Sequence, residues 1–268
     1  MADLNAKVIH IMKVSPTMII MRVAPNGWDL KEFKAGQFVA LGLLGSAPRC
    51  AEATDEYKEA APDKMIKRAY SIASSSKTSE YLEFYITLVH SGALTPRLFE
   101  LKIGDPIFMG TKCTGMFTLD NVEETKNVVL IATGTGVAPY MSMLRSDALN
   151  NHSRKIAVMH GASNSWDLGY SSELTLLESM SDRFKYIPTI LFPEKEATEW
   201  KGHTKLLQDL WTEGVITEAF GEDTTPENTE VFLCGNPNMI EGMISMLEGK
   251  GFIEHKPKTP GQIHAEKF

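Results

Sequence analysis

Apolar positions in the first part of the chain come in short runs broken by turn residues: KVIHIMKV (7–14), TMIIMRV (17–23), QFVALGL (37–43), RAYSIAS (68–74), YLEFYITLV (81–89) and PIFMGT (106–111). Short strands at this spacing predict a small antiparallel β-barrel. One helix is expected among them, over 96–102, with Thr95 as N-cap, Pro96 at the first helical position and Gly104 as the stop. From about residue 123 the pattern changes. Near-continuous apolar strands at 127–133, 155–161, 186–192 and 230–235 alternate with helical stretches at 138–149, 172–180, 203–213 and 237–250. That alternation predicts a doubly wound α/β fold on a parallel sheet. The polar stretch DNVEETKN (120–127) separates the two textures, so the expected domains are 1–122 and 123–268. Residues 45–66 form a long connection between two barrel strands, expected to be a surface excursion or else a lid or partner contact.

Composition narrows the class of protein without naming a chemistry. A chain of 268 residues, 43% hydrophobic and 23% charged, can bury two ordinary cores. No run is long enough to span a membrane, and MADLNAKVIH lacks the layout of a signal peptide, so cytoplasmic residence is expected. The three cysteines, Cys50, Cys113 and Cys234, form no CxxC pair, which leaves an organic redox cofactor rather than a zinc site or an iron–sulfur cluster. A net charge of −7 argues against nucleic acid as a partner.

Three phrases carry the candidate chemistry. In RAYSIAS, Arg68 offers a planar cationic fork for a phosphate, Tyr70 a flat face for a tricyclic ring, and Ser71 a hydroxyl for a ring-edge nitrogen. IATGTGVAPY (131–140) follows an apolar strand and opens a helix, the setting in which Gly134 and Gly136 let a cofactor approach the backbone. VFLCGNPNMI (231–240) puts Cys234 and Gly235 at the end of the fourth apolar strand, where parallel sheets bind ligands.

With Arg-x-Tyr-Ser, Gly-Thr-Gly-x-x-Pro-Tyr and Cys-Gly-x-Pro-x-Met in this order, the chain resembles the ferredoxin–NADP reductase family, most closely its bacterial members, over nearly its whole length. The resemblance implies FAD as cofactor and NADP(H) as the hydride partner, with NAD(H) as the alternative. It gives Arg68 the flavin pyrophosphate, Tyr70 the isoalloxazine and Ser71 the hydride-accepting nitrogen, with Ala69 between them. Tyr85, Ile86 and Thr87 on the next strand, and Ala93, Leu94 and Thr95 before the helix, match further flavin segments. Thr135 is expected to reach the cofactors, Cys234 to lie against the nicotinamide, the terminal Phe268 to stack on the flavin, and Glu266 to serve as a proton relay at the ring edge. In the family, arginines hold the adenosine 2′-phosphate; here those positions fall on Ser163, on Glu194 or Lys195, and on His203. A carboxylate such as Glu194 would repel that phosphate yet could bond a free ribose hydroxyl, whereas Ser163, Lys195, Lys201 and His203 would make a softer phosphate site.

The expected protein is therefore a monomeric FAD-dependent reductase exchanging a hydride with NADP(H) and single electrons with a ferredoxin or flavodoxin. The alternatives are an NADH-dependent flavin reductase serving an oxygenase or small acceptor, and a non-catalytic redox-sensing scaffold on the same two-domain shell.

Overall fold

Pro16 and Thr17 turn the chain back between β1 (Ala6–Ser15) and β2 (Met18–Pro25), and Ser15 pairs with Met18 across that turn. This is a computed structural model, and it describes residues 4–150 and 153–267. The remaining barrel strands are β3 (Phe38–Leu44), β4 (Met65–Ser71), β5 (Leu82–Thr87) and β6 (Pro106–Met109). They form an antiparallel sheet in the order β4-β3-β6-β1-β2-β5. Its two end strands meet, since Tyr70 packs edge-on to Phe84 with centroids 6.4 Å apart and the Ala73 N–H donates to the Glu83 carbonyl at 2.8 Å. Val8, Met21, Leu41, Phe84, Leu98 and Ile107 fill the interior. The expected barrel is the observed one, although RAYSIAS is strand only as far as Ser71. Ile72 and Ala73 leave the β3 ladder to bond Gln37 and Glu83.

Helix α1 (Thr95–Glu100) starts differently from the expectation. Leu94 is the cap residue and makes no side-chain bond, while the Thr95 hydroxyl accepts from the Val89 N–H at 3.0 Å and donates to the Val89 carbonyl at 3.2 Å. Thr95 thus closes the preceding turn and does not cap the helix. The connection at 45–64 is tied down too. The Cys50 N–H donates to Pro96 and the Thr54 N–H to His90. Glu56 pairs with the buried Arg97, which also donates to the carbonyls of Gly45 (2.6 Å) and Ala93 (2.5 Å). Burial alone would raise the Glu56 carboxyl, but the Arg97 bond, the Ala60 N–H and the charges of Arg97 and Arg49 carry it below the usual carboxylate range.

One further helix packs with this barrel. In α2 (Ala138–Arg145), Arg145 donates to Glu83 at 2.6 Å and to the Ala73 carbonyl at 2.9 Å, and Tyr140 lies 6.0 Å from Phe117. The described chain accordingly divides into two compact units: residues 4–118 with Ala138–Ser146, and Leu119–Val137 with the described residues from Asp147 on. A single cut at 122/123 follows the change of texture but leaves out this exchange. It depends on Glu83, a buried carboxylate from the barrel that binds both Arg22 and Arg145.

The second unit holds five parallel strands, β7 (Asn127–Thr133), β8 (Ile156–Ala162), β9 (Phe184–Ile190), β10 (Thr229–Gly235) and β11 (Ile263–Lys267), in the order β11-β10-β7-β8-β9. Every residue of β8, and all of β7 but its last, is buried, as strands covered on both faces require. Its helices are α3 (Ser171–Met180), α4 (Leu207–Thr212), α5 (Val215–Phe220) and α6 (Pro237–Glu248). The helix expected over 203–213 is shorter because His203 is extended and bridges Thr189; Gly214 in the left-handed region then separates α4 from α5. The stretch expected as helix over 138–149 is α2 followed by a short 3-10 turn. Strand β11 was not expected.

Candidate functional site

In the barrel unit, the antiparallel register pairs Arg68 with Leu41, Tyr70 with Val39 and Ser71 with Phe38. Alternation puts Arg68 and Tyr70 on one face of β4. Arg68 is exposed, with one N–H donating to the Lys67 carbonyl at 2.7 Å, and Tyr70 is half-buried beside it; Ala69 is exposed and Ser71 buried. Burial raises the Tyr70 phenol far above its ordinary value, with the Arg68 charge opposing, so the ring stays neutral. An exposed guanidinium, a neutral aromatic face and a buried hydroxyl are the donor set that a flavin dinucleotide needs, and these residues fit FAD.

The two other barrel segments contribute less through their side chains than the sequence suggested. Tyr85 is buried with its hydroxyl 3.1 Å from the Met18 sulfur, and Ile86 belongs to the barrel core. Thr87 is half-buried at the end of β5. Leu94 is core, Ala93 packs against it, and the Thr95 hydroxyl is committed to Val89. These segments can meet a cofactor chiefly through backbone. Only six residues long, α1 sums few peptide dipoles for an anion at its amino end.

In the parallel-sheet unit, the candidate residues lie at or just past the carboxyl ends of the strands. Gly134, Thr135 and Gly136 form a 3-10 turn after β7, Ser163 follows β8, Lys195 and His203 follow β9, Cys234 and Gly235 end β10, and Glu266 lies in β11. The strand order reverses between β7 and β10, the switch point at which such sheets bind ligands. There the backbones touch. A Cβ on Gly136 would sit 2.3 Å from the Cys234 carbonyl oxygen, and one on Gly235, whose φ is +128°, 2.3 Å from the Thr133 hydroxyl. That hydroxyl accepts from the Asn236 N–H at 2.7 Å, and Asn236 caps α6 by accepting from the Asn238 N–H at 2.8 Å.

Cys234 is fully buried, and desolvation, with the Glu266 charge adding to it, holds its thiol well above the ordinary value. It is a protonated, apolar group and not a thiolate nucleophile. Phe268 lies outside the described residues.

His160 is a residue the sequence reading missed. It is completely buried in β8, with Nε2 2.9 Å from the Gly134 carbonyl and Nδ1 3.4 Å from the Tyr186 hydroxyl. Burial pushes it down to about 4, against the Gly134 bond. The neutral ring donates from Nε2 to Gly134 and accepts from Tyr186 at Nδ1, so it props the glycine turn from beneath. The HG at the end of an apolar strand was the available signal.

Among the residues expected to face a 2′-phosphate, Ser163 and His203 are exposed and Lys195 rests its ammonium over the Phe192 ring at 4.1 Å. The fixed carboxylate here is Glu196, not Glu194. It accepts from the Ser165 N–H at 2.8 Å and from the Ser165 hydroxyl at 2.5 Å, bonds that hold it below the usual range.

A barrel presenting this donor set and a parallel sheet with a glycine turn at its switch point define a flavin- and pyridine-nucleotide-dependent oxidoreductase. The Oxidoreductase FAD-binding domain model matches residues 56–116, and the Oxidoreductase NAD-binding domain model residues 130–244. The chain is 31% identical over 269 residues to a flavodoxin/ferredoxin–NADP reductase of Buchnera aphidicola, covering 99% of this chain and 98% of that one. It is 27% identical to the ferredoxin–NADP reductase of Azotobacter vinelandii, covering 100% and 98%. A ferredoxin NADP+ reductase from Neisseria gonorrhoeae with bound FAD and NADP superposes with a TM-score of 0.81 at 25% identity, over 98% of this chain and 97% of that one. The chain belongs to the flavodoxin/ferredoxin–NADP reductase family.

Proposed function

We propose that this protein is an FAD-dependent ferredoxin or flavodoxin–NADP reductase, acting as a cytoplasmic monomer. What supports the reading is that the glycine turn and Cys234 meet at the β7/β10 switch point, the place where a parallel sheet receives a nucleotide. Bound FAD supplies the conversion between a two-electron hydride and single electrons. The chain's own contribution is positioning. Arg68 neutralises phosphate charge, Tyr70 offers its ring, and Ser71 presents a hydroxyl at a buried position. The turn at Gly134–Gly136 admits the nicotinamide nucleotide close to the backbone, and the protonated Cys234 gives it an apolar, unreactive neighbour. Glu266, paired with Cys234 in the strand register, is the carboxylate near enough to hold a proton there.

A second reading, NADH-linked flavin reductase, is favoured by the Glu196 carboxylate held in place by Ser165, where a 2′-phosphate would meet a fixed negative charge. The test is anaerobic bleaching of the flavin by NADPH and by NADH, compared as rate over affinity, followed by electron delivery to ferredoxin and flavodoxin. The reductase reading expects faster reduction by NADPH and turnover of a carrier protein. A preference for NADH with turnover only of small acceptors favours the second reading. No bleaching by either coenzyme overturns both and returns the chain to the non-catalytic scaffold.

A further inference from the structure

A chain of side chains lies two residues before the Cys234–Glu266 pair along the strands, at the edge of the parallel sheet. Phe232 and His264 are paired in the β10/β11 register, as Cys234 and Glu266 are two residues further along. Alternation puts all four on one face of the sheet. The His264 ring stacks on Phe232 with centroids 4.4 Å apart and planes 15° from parallel, and on His255 at 4.7 Å and 30°. Two rings at such distances from a third occupy its opposite faces, so His264 is sandwiched. Its edge is held as well, because Nε2 lies 2.9 Å from Oε2 of Glu230, whose Oε1 is 3.4 Å from Lys126 Nζ. Lys126 in turn donates to the Pro226 carbonyl at 3.0 Å. His255 is anchored through the Gly261 backbone.

Apart from this sandwich, the register of β11 is held at its first residue, where the Ile263 carbonyl accepts from the His255 N–H at 2.8 Å and the Ile263 N–H donates to the Ile253 carbonyl at 3.0 Å. The strand is five residues long, and its residues after Ile263 are paired only with β10. A short edge strand slips easily, and a slip of one residue would turn Glu266 to the opposite face. Ile263 is its fully buried apolar anchor, and Lys267 reaches Glu241 only at the surface.

We propose that His264 is a positioning residue for the nicotinamide site: sandwiched by Phe232 and His255 and tied to Glu230, it locks β11 in the register that keeps Glu266 beside Cys234. The lock itself is independent of the coenzyme; only its catalytic consequence rests on the reductase reading. His264 acts through Glu266 and touches no substrate.

The experiment uses the flavin-loaded protein and three variants, His264→Ala, His264→Gln and His264→Phe. His264→Ala is expected to speed amide exchange across 263–267 about tenfold and to make Cys234 labelled by a thiol reagent, with Cys50 and Cys113 unchanged as internal references. With bound flavin retained, kcat should fall by up to about a hundredfold while KM moves little, as misplacing a group near the chemistry by about an ångström can do. His264→Gln, which keeps an N–H for Glu230, and His264→Phe, which keeps the stack, should each restore part of the protection. Exchange and labelling unchanged in His264→Ala would overturn the proposal. If that variant fails to fold, wild-type protection in both of the others overturns it, and a loss confined to 263–267 supports it. If the parent protein shows no turnover with either coenzyme, the functional reading fails while exchange and labelling still decide the lock.

Discussion

His160 shows how much of the site a single buried side chain can govern. Its imidazole is fully enclosed and held neutral down to about pH 4, against an ordinary value of 6.5. The unfolded chain therefore binds an extra proton between those values, so stability rises with pH across the interval and is lost as pH falls from 6.5 toward 4. The full effect is about 3 kcal/mol. Denaturant midpoints of the parent should drop across this interval, and His160→Gln, which keeps a donor for Gly134, should flatten that part of the profile; identical slopes would remove His160 from the account. Arg68, Tyr70, Ser71, Gly134, Gly136 and Cys234 could be named as candidates from the sequence because the chemistry that suggests them resides in residue type and order. His160 could not, because its role comes from a carbonyl 26 positions away in the chain.

Among the elements, those with strong period or punctuation matched their expectations: β7 begins and ends at the expected residues, and α6 starts at Pro237. The failures have local causes. Thr95 has the side chain of a cap, but Val89 claims its hydroxyl; β11 is too short and polar to announce itself before β10 offers it a ladder. The 45–64 connection contains no strand or helix, yet it is anchored by Glu56 and Arg97, whose side chains are each 6% exposed. Removing one partner leaves a buried charge alone, so Glu56→Ala is expected to cost about 3 kcal/mol. Because Arg97 also holds the Ala93 carbonyl, the variant should lose FAD more readily. Chemical denaturation and flavin retention on gel filtration check the two effects, and a loop without influence on that turn would leave retention unchanged.

For the whole molecule, the net charge of −7 sets the long-range field. An acidic electron carrier would approach against that field, so raising ionic strength from about 10 to 150 mM should speed its reduction at low carrier concentration. Stopped-flow rates with an acidic ferredoxin test this, and a rate that falls with salt would mean that basic residues cluster where the carrier docks. What the sequence determined by itself was the kind of strand in each part of the chain, the barrel and parallel sheet they build, and the cofactor motifs, because periodicity and residue chemistry are local. Tertiary structure decided that α2 packs with the barrel through Arg145 and Glu83, that His160 supports the glycine turn, and that His264 sits between Phe232 and His255. Each of these depends on which side chain meets which once the sheets have formed; Glu83 and Arg145, Gly134 and His160, and Phe232 and His264 are far apart in the chain, and although His255 and His264 are near neighbours in sequence, nothing local says that their rings stack.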